Sequence, residues 1–279
     1  MKNILPVLMT MALLATSCIV KVDKKEGDGE AQAETEQSVN VIGKELTYAT
    51  DSLSMHGYIA YDENNTEKRP GVLVVHEWWG HNDYTRTRAD MLAELGYTAI
   101  AVDMYGDGKL AEHPEDAGKF SGMVMSNIDS AKARFIAALD QLKAHPSVDP
   151  ERIAAIGYCF GGSVVLTMAN AGMDLDAVAA FHSGVRLPIM PSSDLTAKVL
   201  VCNGAADPFI SEESITAFKK AMDSVGADYN YIAYKDALHA FTSKAADEMG
   251  KKFSLPLAYQ EEADTASWEE LQKLLESVF

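Results

Sequence analysis

Ile153 to Gly162 read IAAIGYCFGG. The four apolar residues Ile153–Ile156 have the continuous character of a short strand buried on both faces. Ser163–Ala171 then continues as a helix. The turn between them is Gly157-Tyr158-Cys159-Phe160-Gly161-Gly162, the nucleophile-elbow pattern G-x-S-x-G with Cys in place of Ser. A nucleophile on such a tight strand-to-helix turn leaves no room for side chains two positions before and two after it. Gly157 and Gly161 remove those atoms, and Gly162 permits close packing of helix on sheet. Cys159 falls beside a helix N-terminus, whose partial positive charge favours a thiolate.

The sequence around this stretch repeats the same alternation. Upstream, GVLVVH (71–76) and YTAIAV (97–102) are strands, separated by a helix at 82–95 that stops at Gly96. Ile128, Ala131, Phe135, Leu139 and Leu142 recur at helical spacing, and His145-Pro146 ends that helix. Downstream, AVAAF (177–181), VLVC (199–202) and YNYIAY (229–234) are strands, with helices at 211–225 and 258–278. Residues 45–61 suit a leading hairpin. Alternating strands and helices specify an α/β fold with a mostly parallel central sheet and helices on both faces. In such sheets functional groups lie just beyond the carboxyl ends of the strands.

Two groups at those ends complete a constellation with Cys159. Asp207 follows VLVC within NGAADP, and His239 follows the last strand within ALHAF. Taken singly, Asp207 reads as a turn residue before Pro208 and His239 as a loop histidine. Their order after the nucleophile, acid and then His, is that of a Cys159–His239–Asp207 triad. The oxyanion hole is expected from the backbone N–H of Phe160 and of Trp78, in the loop after the first parallel strand. Trp79, Tyr105 and His182 also follow strand ends and are candidate pocket residues, His182 reading equally well as a hydrogen-bonded wall. Cys202 lies within an apolar strand and reads as core. The remaining histidines show no metal-ligand spacing, so neither metal nor organic cofactor is expected.

HEWWG (76–80), VDMYG (102–106), GYCFGG (157–162), NGAADP (203–208) and HAF (239–241) together resemble the dienelactone hydrolase family over roughly 44–279. The resemblance implies an α/β-hydrolase fold and hydrolysis of an ester or enol-lactone through a thioester. It also implies that Glu77 holds the resting thiol until substrate displaces it. The two arginines that hold a substrate carboxylate in that family are missing at their positions. Residues 103–131 contain no Arg, and the position four after His239 is Ser243, with Lys244 next. Lys does not reproduce the bidentate grip of Arg. Little preference for carboxylated lactones is therefore expected. A general carboxylesterase or thioesterase, and a non-catalytic envelope lipoprotein using the fold to bind, stand as alternatives.

The N-terminus differs in character. MKNILPVLMTMALLATSC carries Lys2, an apolar run at 4–15 too short to span a membrane, then Ala15-Thr16-Ser17 and Cys18. This resembles a bacterial lipoprotein signal: residues 1–17 removed, Cys18 lipidated, and residues 18–42 a polar tether before the domain at 43–279. The expected location is the cell envelope, with the lipid as the only membrane contact. Residues 1–42 hold four Lys and six acidic residues of the chain's 24 basic and 41 acidic ones, which leaves 43–279 at 20 against 35, a net −15. That balance excludes a general nucleic-acid binder; the expected partner, a small ester or lactone, is what the family resemblance implies.

Overall fold

The computed structural model describes Met1 and residues 38–50 and 52–279. Cys18, the expected signal peptide and nearly all of the expected tether lie outside the described residues. The folded body begins earlier than residue 43. Strand β1 starts at Val41, and Asn40 N–H already donates to Asp62 Oδ1 at 2.8 Å.

β1 (Val41–Thr50) and β2 (Leu53–Asp62) form the leading hairpin. β3 (Arg69–Val75), β4 (Thr98–Val102), β5 (Val148–Tyr158), β6 (Ala177–Phe181), β7 (Lys198–Gly204) and β8 (Tyr229–Tyr234) complete one eight-stranded sheet in the order β1-β2-β4-β3-β5-β6-β7-β8. β1, β2 and β4 pair antiparallel, and every pair from β4 to β8 is parallel. The crossover helices are α1 (Asp83–Glu94), α2 (Pro114–Met125), α3 (Ile128–Ala144), α4 (Phe160–Asn170) and α5 (Glu212–Val225). After β8 come α6 (Ala246–Phe253) and α7 (Glu261–Val278).

The twofold period of the strands sorts their side chains into two cores. Leu73, Val75, Ile100, Val102, Val178 and Val201 face one side and pack on α3, α4 and α5 through Phe135, Val164 and Phe218. Val72, Val74, Ala99, Ala101, Ile156 and Leu200 face the other and pack on α1 and α7 through Leu92, Leu271 and Leu275. β3, β4 and β6 are buried at every position, which explains the apolar runs Val72–Val75, Ala99–Val102 and Ala177–Phe181 within them.

Two elements were not legible in the sequence. The excursion after β4 contains α2, in which Pro114 opens the helix and His113 accepts a hydrogen bond from Glu115 N–H. α6 is a short helix between β8 and α7. α6 is only eight residues long, and α2 lies within an excursion of mixed sequence.

Candidate active site

Cys159 stands at the junction of β5 and α4 with φ 53° and ψ −115°. This left-handed backbone is costly for a residue with a Cβ and clusters at functional turns. The glycines around it are there for contacts that can be named. A Cβ on Gly157 would lie 2.2 Å from Gly161 O, and one on Gly161 would lie 2.3 Å from Val75 O in the neighbouring strand. A Cβ on Gly162 would lie 2.6 Å from that of Ser183. The elbow is thus packed on β3 and β6 as tightly as backbone allows.

His239 lies in the loop after β8, where its carbonyl accepts from Ala258 N–H at 3.2 Å. Both ring nitrogens are engaged: Nε2 lies 3.1 Å from Cys159 Sγ, and Nδ1 lies 2.7 Å from Asp207 Oδ2. The other oxygen of Asp207, Oδ1, accepts from Phe209 N–H at 2.9 Å, so the carboxylate is held at both ends. The Phe209 ring stands edge-on to His239, with centroids 5.2 Å apart. Burial alone would lower the His239 pKa. Cys159 on one side and Asp207 on the other outweigh it and raise the imidazole to about 10. The favoured state at neutral pH is therefore imidazolium beside the sulfur.

The loop after β3 is fixed by its own polar groups. His76 Nδ1 lies 2.5 Å from Glu77 O, and His76 Nε2 accepts from Met104 N–H at 3.2 Å. Burial lowers the pKa of this histidine to about 4 and keeps it neutral, as an Nε2 acceptor requires. Tyr105 Oη donates to Trp78 O at 2.7 Å. Among the described residues, the backbone N–H groups of Trp78 and Phe160 donate to no protein acceptor. They are free for a ligand oxygen.

A cavity of about 410 Å³ opens beside the sulfur. Trp78, Phe160 and His239 line it together with Gly118, Gly122 and Met125 of α2 and with Arg186 and Pro188. Three pocket expectations need correction. Tyr105 is buried and bonds the Trp78 carbonyl instead of facing the cavity. Trp79 packs against Phe253 and lines a different cavity. His182 is fully buried: Nε2 lies 2.7 Å from Thr242 Oγ1 and its ring abuts His239, so it is the wall its alternative reading described. Glu77 also differs from expectation. Among the described residues its carboxylate makes no hydrogen bond with Cys159, and it faces the cavity that Trp79 lines.

Sequence reading passed over Arg186. It follows β6 in a segment without periodicity, is exposed, and among the described residues forms no ion pair. It nevertheless reaches the cavity holding Cys159. Lys244 lines a separate surface cleft with Tyr259.

With this geometry in place, the family model described as "Dienelactone hydrolase family" matches residues 55–279. The chain belongs to the dienelactone hydrolase family. A protein with a solved structure, m3DLH, is 37% identical in sequence with TM-score 0.81, covering 86% of this chain and 99% of that one. P91, a dienelactone hydrolase-like promiscuous phosphotriesterase from metagenomic libraries, is 32% identical with TM-score 0.80, covering 86% and 99%. Protein usf of Aquifex pyrophilus is 27% identical over 213 residues, 75% of this chain and 90% of that protein. The chain is thus an enzyme of the dienelactone hydrolase type, with the α/β-hydrolase fold that its sequence leads one to expect.

Proposed function

We propose that this dienelactone hydrolase family member cleaves a small ester or enol-lactone through a thioester on Cys159. The observation that carries the reading is the pair of contacts made by His239, 3.1 Å to Cys159 Sγ and 2.7 Å to Asp207 Oδ2. Cys159 Sγ attacks the carbonyl carbon, with its proton held on His239 Nε2. The resulting oxyanion accepts from Phe160 and Trp78 N–H, which act where charge develops. Collapse expels the alkoxide or enolate, which takes the proton from Nε2. Water then attacks the thioester as Nε2 removes its proton, and a second collapse releases the acid and the cysteine. Asp207 holds Nδ1–H throughout, which keeps Nε2 aimed at the sulfur.

The pocket supports one refinement of the substrate. Arg186 offers an unpaired guanidinium at the cavity of Cys159, so an anionic substituent on the substrate meets a charge-assisted donor. This reading departs from the expectation drawn from the two missing family arginines, and the substrate comparison below tests between them. The decisive test is Cys159→Ala together with intact-mass analysis of wild type quenched during turnover of an aryl ester. The wild type gains one acyl mass; the variant gains none and loses hydrolysis. An active, acylated Cys159→Ala protein would refute the assignment.

We propose in addition that Cys18 is lipidated and tethers the enzyme to the cell envelope. Its support is the sequence alone: an apolar run followed at once by Ala-Thr-Ser-Cys. Intact mass of protein from native membranes should show a chain starting at Cys18 with an acyl increment. A different start without that increment would refute it.

A further inference from the structure

The loop that carries His239 consists of turns and an isolated bridge, yet it holds an imidazole 3.1 Å from Cys159 Sγ. The hold runs through Thr242, three residues further on. Its Oγ1 lies 2.7 Å from His182 Nε2 and 2.5 Å from Tyr84 Oη. Its carbonyl accepts from Arg88 Nη2 at 2.8 Å. One hydroxyl can donate to one of these side chains and accept from the other at the same time. His182 directly follows β6 and Tyr84 lies in the first turn of α1. The chain His182–Thr242–Tyr84 therefore ties the irregular loop to two regular elements.

His182 is a costly residue for its position. It is fully buried, and its φ of 38° lies in the left-handed region that a residue with a Cβ adopts only under constraint. Its Nδ1 has no partner among the described residues. The rings of Phe241 and Tyr158 surround it with centroids 5.4 and 5.9 Å away. Burial, with His239 and Arg88 adding to it, lowers the His182 pKa and keeps the ring neutral. An apolar ring would pack here without the penalty of an unpaired polar atom. What imidazole adds over such a ring is Nε2 and its bond to Thr242.

The same strand end also places the nucleophile. Phe181 O accepts from Cys159 N–H at 2.9 Å, and His182 N–H donates to Cys202 O at 2.8 Å. Consecutive residues of one chain segment thus set the elbow of Cys159 and, through Thr242, the loop of His239. The His182 ring also stands against the His239 ring, with centroids 5.4 Å apart and planes at 71°, which limits the swing of His239 on that side.

We infer that His182 and Thr242 are positioning residues of the reaction, and that the chain His182–Thr242–Tyr84 sets the approach of His239 Nε2 to Cys159 Sγ. The inference rests on the proposed roles of Cys159 and His239.

The test pairs variants of like shape. Thr242→Val removes the hydroxyl and Thr242→Ser keeps it. For an aryl acetate, Thr242→Val should lower kcat about ten-fold or more with KM little changed, because small misplacements of reacting groups are costly in rate; Thr242→Ser should recover the loss. At His182, Gln puts its amide where Nε2 lies and Asn puts the same amide where Nδ1 lies. His182→Gln should therefore keep most of kcat and His182→Asn should lose it, although both bury the same polar group. Melting temperatures fix an assay temperature at which every variant is folded. A second readout needs no ester: alkylation of Cys159 by iodoacetamide at neutral pH, followed by peptide mass. An imidazolium moved away from the sulfur no longer favours the thiolate, so this rate should fall in Thr242→Val and His182→Asn and recover in Thr242→Ser and His182→Gln. Wild-type kcat and alkylation rate in Thr242→Val, a loss that Thr242→Ser does not recover, or equal rates for His182→Asn and His182→Gln would each overturn the inference. Were Cys159→Ala still to cleave esters, the proposed mechanism would fall, and the alkylation rates would still decide whether this chain positions His239.

Discussion

Gly161→Ala tests the elbow directly, because the clash it creates can be measured. The new Cβ would lie 2.3 Å from Val75 O and 2.6 Å from His76 O, whereas ordinary contact begins at 3.4 Å. Relief requires α4 and β3 to part by about 1 Å, and neither obstacle is a side chain that can turn away. The displaced groups carry the proposed chemistry. Phe160 N–H moves with α4, and Trp78 N–H moves with the loop that follows β3. A misplacement of this size costs about 10²-fold in rate, and overpacking of a tight interior costs about 1–3 kcal/mol of stability. The assay is steady-state hydrolysis of an aryl acetate alongside thermal melting. The expected result is a fall in kcat of about 10²-fold with a lowered Tm, while KM changes little. A Gly161→Ala enzyme with wild-type kcat and Tm would mean that the elbow does not need this approach, and the reasoning would fail.

Asp207→Asn replaces the acceptor at His239 Nδ1 and should lower kcat by about 10²–10⁴-fold with KM nearly unchanged; a loss smaller than ten-fold would remove Asp207 from the proposed mechanism. The raised pKa of His239 makes the imidazolium persist, so kcat/KM should hold through neutral pH and fall only as pH rises through about 10; a fall centred near 6.5 would contradict the pairing with Cys159. Glu77 is raised by burial from 4.5 to about 7, so the folded state binds its proton more tightly than the unfolded chain. Stability should therefore decline as pH rises from about 4.5 through 7, and chemical denaturation of Glu77→Gln across this window should show a smaller decline. Arg186→Gln should raise KM for a carboxylated lactone several-fold while leaving its methyl ester unaffected; equal effects on both would show that Arg186 makes no contact with the carboxylate.

Local sequence was sufficient wherever one short segment carries the whole physical requirement. β3, β4 and β6 are buried on both faces, so the apolar runs within them identify them without knowledge of their neighbours. The elbow was legible because its glycines answer to a turn geometry that is local in the chain, even though the atoms that forbid a Cβ at Gly161 belong to Val75 and His76. Asp207 and His239 were legible because an open parallel sheet brings the carboxyl ends of its strands to one edge, so order along the chain became proximity in space.

What the chain alone left undecided depends on which way side chains point between distant segments. Trp78 and Trp79 are adjacent, yet one lines the Cys159 cavity and the other a separate one. Tyr105 and His182 follow strand ends as pocket residues do, but tertiary packing turns them onto the Trp78 carbonyl and onto Thr242. Arg186 enters the site from an irregular segment with no motif. Glu77 shares a pentapeptide with Trp78, yet its carboxylate faces the other cavity. Sequence pattern determines which segments become strands and helices and which strand ends meet. The direction of each side chain there is settled by close packing among residues far apart in the chain, as in the contacts of Tyr84 with Thr242 and of Arg88 with Asp264.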